Sequence, residues 1–314
     1  MKIAITGGKG FVGSNLIKII DKKNNKISVL TRSNNEIMEG VEYIKTDYHS
    51  EKSVLMAISG ADIIIHLAAT LFARNKNEFI KENVESTKNL VNLANISGVK
   101  KFIYISSLAA GGPSTDSTNP RKETDKENPV SNYGLSKLLS EKEVMRFKND
   151  WVILRPPIVY GPKDDGFSTI AQWLKKGIMI SPLSKDAMFS FVFVKDLCLS
   201  IIRVIESDIK NDIFYICEDK IYKWTDFINM MADYMEVKRP KIIKMPKALL
   251  NLTAISYEFF SYIIKTKPIL NRDKVREASF YHWIASSKKW QDLTAMKWTP
   301  LSEGLKKTFE KNLV

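Results

Sequence analysis

The chain has 314 residues, enough for one large domain or two closely packed ones. With 44% apolar and 26% charged residues it has the make-up of a soluble globular protein, which excludes a disordered, collagenous or disulfide-stapled chain. The formal net charge is +13, yet only nine of the 48 basic residues are Arg and the Lys residues are scattered, so no nucleic-acid partner is expected.

The first half alternates strands and helices. Lys2–Thr6, Lys26–Thr31, Val41–Lys45, Asp62–His66, Lys101–Ile105 and Trp151–Leu154 are continuous, β-branched-rich runs that predict strands buried on both faces. Val12–Asp21, Glu51–Ile58, Asn77–Ser97 and Ser131–Phe147 predict helices between them. This alternation implies an α/β fold, a Rossmann-type doubly wound parallel sheet. Ala110–Val130 is a polar loop, long enough to serve as a lid or binding loop.

Beyond about residue 160 the pattern changes. Helices are expected at Phe167–Lys176, Trp224–Met235, Lys247–Ile264 and Asn271–Glu277, with strands at Ser190–Val194 and Ile213–Ile216. The expected division is a dinucleotide-binding domain over 1–160, with elements returning to the sheet near 190–217, and a smaller, mostly helical substrate-binding domain over 161–314. In Lys247–Ile264, Ala248, Leu249, Leu252, Ile255, Phe259 and Ile263 form an apolar face, and only Lys247 and Glu258 are charged. A lid or pocket wall is preferred here to contact with a membrane surface, and Glu258 argues against a spanning helix.

Cys198 and Cys217 lack CxxC partners, and His49, His66 and His282 have no metal-ligand spacing, so no metal is expected. Met1-Lys2 runs straight into Ile3-Ala4-Ile5 without a signal-peptide pattern, and the expected location is cytoplasmic.

The segment Thr6-Gly7-Gly8-Lys9-Gly10-Phe11-Val12-Gly13 follows the first strand and opens the first helix. Gly7, Gly10 and Gly13 permit a tight turn and close backbone approach to a pyrophosphate, which the helix N-terminus then receives. The second strand ends Thr31-Arg32-Ser33. Arg32 can pair with a ribose 2′-phosphate where NAD binders place a carboxylate, and Lys9 adds a second cation, so the cofactor is expected to be NADP, with NAD as the alternative.

Tyr133 and Lys137 lie four residues apart on one helix face. A phenol titrates near pH ~10, and an adjacent ammonium is expected to lower that toward working pH. Such a tyrosine can exchange a proton with a carbonyl/alcohol pair. Ser106-Ser107 ends the fifth strand at the ligand-binding edge of the sheet, where a hydroxyl can hold the same oxygen.

With these motifs the chain resembles an extended short-chain dehydrogenase/reductase, of the group labelled NAD-dependent epimerase/dehydratase, over nearly its whole length. The resemblance places the catalytic serine at Ser107, beside Tyr133 and Lys137. It implies that Asp47, followed by Tyr48, contacts the adenine amine, and that Leu67-Ala68-Ala69 after His66 lines the cofactor. It also matches Asn83 to the family's helix asparagine and puts Pro156, in Arg155-Pro156-Pro157-Ile158-Val159-Tyr160-Gly161-Pro162, near the nicotinamide.

Departures from the family bear on substrate. Nucleotide-sugar enzymes of this kind usually carry Asn where Ile158 stands and Arg where Phe189 stands, and use both to hold a diphosphate; Lys163 and Lys185 are the cations that could stand in. The acid pair of the dehydratases is replaced by Leu108-Ala109-Ala110-Gly111-Gly112. What remains resembles dihydroflavonol reductases and 3β-hydroxysteroid dehydrogenases, and Leu108, Ile158 and Phe189 suit an apolar pocket. The reading is an NADP(H)-dependent oxidoreductase interconverting a ketone and a secondary alcohol on a fairly apolar small molecule, with room for a homodimer. The alternatives are a nucleotide-sugar epimerase with tightly bound NAD and a non-catalytic NADP-binding sensor.

Overall fold

The computed structural model describes residues 1–33, 38–181, 186–263 and 271–310. Lys185 and Ile264 of the readings above lie outside the described residues. The first half runs β1 (Lys2–Thr6), α1 (Phe11–Ile19), β2 (Lys26–Thr31), β3 (Val41–Lys45), α2 (Glu51–Ile58), β4 (Ile63–His66), α3 (Lys76–Phe79), α4 (Ser86–Ile96), β5 (Lys101–Ile105), α5 (Leu108–Gly111), α6 (Asn132–Val144) and β6 (Asp150–Arg155). Then follow β7 (Ile158–Tyr160), α7 (Asp165–Lys175), β8 (Ile178–Ser181), β9 (Met188–Phe189), β10 (Phe191–Phe193), α8 (Val194–Ile205) and β11 (Asp212–Tyr215). The last part comprises β12 (Tyr222–Lys223), α9 (Trp224–Tyr234), β13 (Lys241–Lys244), α10 (Lys247–Ile263), α11 (Arg272–Glu277), β14 (His282–Trp283), α12 (Lys288–Thr294) and α13 (Leu301–Phe309).

Seven strands form one sheet in the order β3-β2-β1-β4-β5-β6-β11, and every neighbouring pair is parallel. The continuous apolar runs have a direct cause. Ile3, Ile5, Ile63, Ile65, Ile103 and Ile105 enter one core cluster, and the alternate residues Ala4, Ile64, Phe102 and Tyr104 enter the other. Each strand therefore feeds two helix layers, which is what a doubly wound sheet requires. The chain crosses from β3 back to β4, beside β1, and this reversal opens the crevice at the carboxyl ends of the strands. The later elements α8 and β11 join this body: Leu197, Cys198, Ile201 and Phe214 pack into the first cluster.

The expected helix over 77–97 is interrupted. Ile80–Glu85 between α3 and α4 is π-helical, and it carries the buried Asn83. The polar loop is no free lid in this structure. The Ser114 N–H donates to His282 O at 2.8 Å, that of Arg121 to Ile284 O at 3.0 Å, and that of Ser286 to Arg121 O at 2.9 Å. The loop is thereby stitched to the C-terminal segment around β14.

In the second half an aromatic core gathers Tyr160, Phe167, Phe189, Phe191, Phe193, Tyr222 and Phe227. Short strand pairs, β7 with β10 and β8 with β13, and the three-stranded β12-β9-β14 join the helices there. The apolar face assigned to a pocket wall needs correction. Among the described side chains of α10, Leu250 and Ala254 are buried, packed with Val275 of α11 and Met245, while Ala248, Leu249, Leu252 and Ile255 face solvent; the side chains of Phe259 and Ile263 lie outside the described ones.

Candidate active site

The segment from Thr6 to Gly13 packs tightly against the end of β4. Gly7 adopts φ +68°, and a Cβ there would lie 2.7 Å from the Ala68 nitrogen. A Cβ on Gly13 would lie 2.3 Å from the Gly7 oxygen. Gly10 donates its N–H to Gly7 O at 2.9 Å and caps α1 with no side-chain hydrogen bond. The leading N–H groups of α1, on Phe11, Val12 and Gly13, therefore form an uncapped positive helix end, and no acidic residue sits in that first turn. This cradle fits the pyrophosphate of a dinucleotide.

At the end of β2, the Lys9 Nζ donates to Ser33 O at 2.6 Å. The Arg32 side chain is 76% exposed, and its guanidinium lies 3.8 Å from a Glu82 oxygen. Such a solvent-screened pair is weak and leaves the cation accessible to a phosphate. Asp47 is exposed and accepts the His49 N–H at 3.0 Å. The Tyr48 hydroxyl donates to Leu30 O at 2.9 Å, and burial raises its pKa.

Leu67, Ala68 and Ala69 are half-buried opposite the glycine segment, where the Ala68 N–H donates to Thr6 Oγ1 at 3.0 Å. Asn83 accepts the Thr70 N–H at 2.7 Å and donates both amide hydrogens, to Thr70 O at 3.1 Å and to Ser136 Oγ at 2.9 Å. Tyr48 and Asn83 thus engage their side-chain polar groups in hydrogen bonds within the protein. Pro156 is buried, and its carbonyl accepts the Leu108 N–H at 2.8 Å.

Ser107 follows β5 and caps α5, accepting the Ala109 N–H at 3.1 Å. Its hydroxyl lies near enough to the Tyr133 phenol to act downward on the phenol pKa. Lys137, one turn along α6, is buried; its Nζ donates to Ile105 O at 2.7 Å and lies 4.2 Å from the Tyr104 ring centre. Burial pushes the Lys137 ammonium down to about 7, against the opposing pull of Glu141. The expected lowering of the Tyr133 pKa by Lys137 is not what the structure shows. Burial, and after it the Glu277 carboxylate, raise the phenol pKa, while Ser107 acts downward. Tyr133 is therefore held as a protonated donor, beside a hydroxyl that can hold an oxygen.

The sequence reading missed the residues that hold this group in place. Asp273 of α11 accepts the N–H of Asn132 at 2.7 Å and that of Tyr133 at 3.2 Å, satisfying the first donors of α6. Ser131 caps α6, accepting the Gly134 N–H at 2.9 Å and donating to Glu277 at 2.6 Å. Lys274 pairs with Glu277 at 2.7 Å and lies 5.1 Å from the Tyr133 ring centre. Beneath α6, the Arg155 guanidinium donates to Glu141 at 2.9 and 2.6 Å, and Ser106 donates to the same carboxylate. No local pattern links α11 to α6 across some 140 positions; only the Asn271-x-Asp273 cap and its acidic neighbours hint at a docking role.

On the substrate side, Phe189 is packed against Trp224 with ring centres 5.5 Å apart, and Leu108 is buried with Tyr215 and Cys217. Both belong to cores. Ile158 keeps partial exposure, and Lys163 is exposed at φ 69°.

The family model described as "NAD dependent epimerase/dehydratase family" matches residues 3–217. A ceramide reductase of Caulobacter vibrioides is 24% identical over 314 residues, 98% of this chain and 90% of that protein. A UDP-glucose 4-epimerase of Vibrio cholerae is 32% identical over 189 residues, 56% of this chain and 57% of that one. In structure, the UDP-glucose 4-epimerase of Thermus thermophilus in complex with NAD superposes with a TM-score of 0.78 at 18% identity, covering 98% of each chain, a likeness of fold.

The buried Lys137 has a stability signature. Its pKa is about 7 folded against 10.5 for a free lysine, so between these values the unfolded chain holds a proton that the folded chain has released. Wild-type stability should therefore rise with pH from 7 toward 10.5, relative to Lys137→Met, by up to about 1.4 kcal/mol per pH unit. Denaturant titrations of both proteins across that window, without nucleotide, check it; parallel curves contradict it.

Proposed function

The chain belongs to the NAD dependent epimerase/dehydratase family, and from that premise we propose that it is an NADP(H)-dependent reductase interconverting a ketone and a secondary alcohol on a fairly apolar small molecule. The family comprises NAD(P)-dependent dehydrogenases and epimerases of the extended short-chain type, and this chain is an enzyme of that kind. The observation that carries the finer reading is the placement of the Tyr133 phenol beside the Ser107 hydroxyl, on a helix whose first N–H groups Asp273 holds and with Lys274 5.1 Å from its ring centre.

Tyr133 delivers its proton to the carbonyl oxygen in reduction and takes it back in oxidation. Ser107 donates a hydrogen bond to the same oxygen and orients the carbonyl. Lys274, over the Tyr133 ring, favours the phenolate left behind. Lys137, buried one turn along α6 with a pKa pushed down to about 7, holds the nicotinamide ribose. When bound, NADPH supplies the hydride that reaches the carbonyl carbon. Gly7, Gly10, Phe11, Val12 and Gly13 receive the pyrophosphate, and Arg32 with Lys9 receives the 2′-phosphate. The cysteines Cys198 and Cys217 are buried and unpaired, which suits the reducing cytoplasm proposed for this enzyme.

The similarity to a ceramide reductase along 98% of the chain supports an apolar carbonyl substrate. The higher identity to a UDP-glucose 4-epimerase over 56% of the chain favours a second reading, a nucleotide-sugar epimerase that retains NAD. Against it stands Ile158 in the position of a diphosphate anchor, with Phe189 held in the aromatic core. Burying two phosphate charges without paired donors costs several kcal/mol per ion.

Three measurements test the proposal. Tyr133→Phe should leave NADPH affinity near wild type and cut turnover on an accepted carbonyl substrate by roughly 10²–10⁴-fold; unchanged turnover sinks the assignment. Arg32→Ala should weaken NADPH binding by about 1.5 kcal/mol, the low end for a charged hydrogen bond because the side chain is exposed, and hardly affect NADH. A wild-type preference for NADH overturns the cofactor reading. By calorimetry with cofactor present, UDP-sugars should bind no tighter than about millimolar; micromolar binding moves the epimerase to first place.

A further inference from the structure

We propose that the outer face of α10 docks on an anionic lipid bilayer, lying flat on its surface. The helix turns its apolar residues the wrong way for a protein interior. Leu249 is 49% exposed, Leu252 61% and Ile255 48%, while among the described side chains Leu250 and Ala254 turn inward and pack against Val275. Along this face, Ala248 to Tyr257 contains no charged residue.

The charge next to it is mainly basic: Arg239 is paired with Asp233 at 2.8 Å and Glu258 with Arg272 at 2.9 Å, which leaves the lysines to set the sign. From Val237 to Tyr257 every charged residue is Lys or Arg: Lys238, Arg239, Lys241, Lys244 and Lys247. Lys238, Lys241 and Lys244 are exposed, and β13 leads through Met245-Pro246 directly into α10. An exposed apolar stripe that follows a lysine-flanked strand, Lys241-Ile242-Ile243-Lys244 with Ile243 44% exposed, complements a bilayer rich in anionic headgroups: the aliphatic side chains enter the acyl boundary and the lysines meet the phosphates. A second copy of this chain, itself at net charge +13, would bring like charges together on such a face. No described helix is long and apolar enough to cross a membrane, so the contact is interfacial.

Docking would set the substrate entrance near the lipid. The buried side of α10 packs on α11, and α11 holds the N-terminus of α6 through Asp273. Resting on the function proposed above, this deepens the substrate class to a carbonyl lipid drawn from the bilayer.

The test uses the full chain at physiological ionic strength, with vesicles of phosphatidylcholine plus phosphatidylglycerol and vesicles of phosphatidylcholine alone. The wild type should sediment with the first and far less with the second. The triple variant L249S/L252S/I255S should bind the anionic vesicles at least tenfold more weakly, and K241Q/K244Q on the order of tenfold more weakly. Both should keep the wild-type melting temperature and NADPH affinity, since the altered side chains are exposed. Failure of the wild type to bind anionic vesicles, or undiminished binding by the triple variant, overturns the proposal. So does a wild-type dimer in light scattering that the triple variant dissolves while vesicle binding is absent. Sedimentation reads no turnover, so a wrong reductase assignment leaves this result standing, and a failed docking leaves the Tyr133→Phe result standing.

Discussion

The ion pair between Glu141 and Arg155 is the constraint around which the site is built. Both side chains are fully buried, and two hydrogen bonds at 2.9 and 2.6 Å join them. Separating such a pair would strand a charge in the interior, at a cost of about 3–5 kcal/mol. Arg155 ends β6, Ser106 follows β5, and both converge on Glu141 of α6. The helix is therefore pinned to the carboxyl ends of two adjacent strands. Lys137 lies one turn before Glu141 and Tyr133 one turn before that, so their heights above the sheet follow from this anchor.

A second anchor acts at the other end of α6, and it comes from far along the chain. Asp273 takes the first N–H groups, and Glu277 takes the Ser131 hydroxyl. An acidic cap here satisfies the helix dipole but also places negative charge near the phenol, which helps keep it protonated. Lys274 offsets part of that charge. The proton held by Tyr133 thus depends on how the C-terminal helices dock as well as on the residues beside it.

Much of this was legible in the sequence. Strands β1, β2, β3 and β5 match the runs read from β-branched residues; in β1, β2 and β5 burial on both faces leaves an unmistakable composition, whereas β3 is an edge strand, partly exposed, and keeps Glu42 and Lys45 in solvent. The glycine spacing and the Tyr133–Lys137 pair are local patterns and survive folding unchanged. The direction in which α10 faces was not legible, because periodicity reveals an apolar stripe without saying what covers it. Nor was the protonation of Tyr133, which depends on depth and on Glu277, a residue that only the tertiary fold brings near. The π-helical turn at Asn83 escaped for a related reason: the side chain it carries is bonded to Thr70 and Ser136, contacts that lie outside its own helix and leave no local pattern.

One further consequence follows from the hydrogen bonds under the crevice. Thr87 donates its only hydroxyl proton to Asn83 O at 2.6 Å, so it can only accept from His66 Nε2, 2.9 Å away. That leaves His66 Nδ1 bare to accept from Thr6, whose oxygen in turn receives the Ala68 N–H. The line has one polarity from the glycine turn to the π-helical turn, and burial, with Lys137 adding to it, drives the imidazole down to about 3. His66 is thus a neutral spacer locked in a single tautomer, a ruler and not a switch. It sets the distance between the two turns that flank the crevice and takes up no proton across the physiological range, so acid–base behaviour there is left to α6.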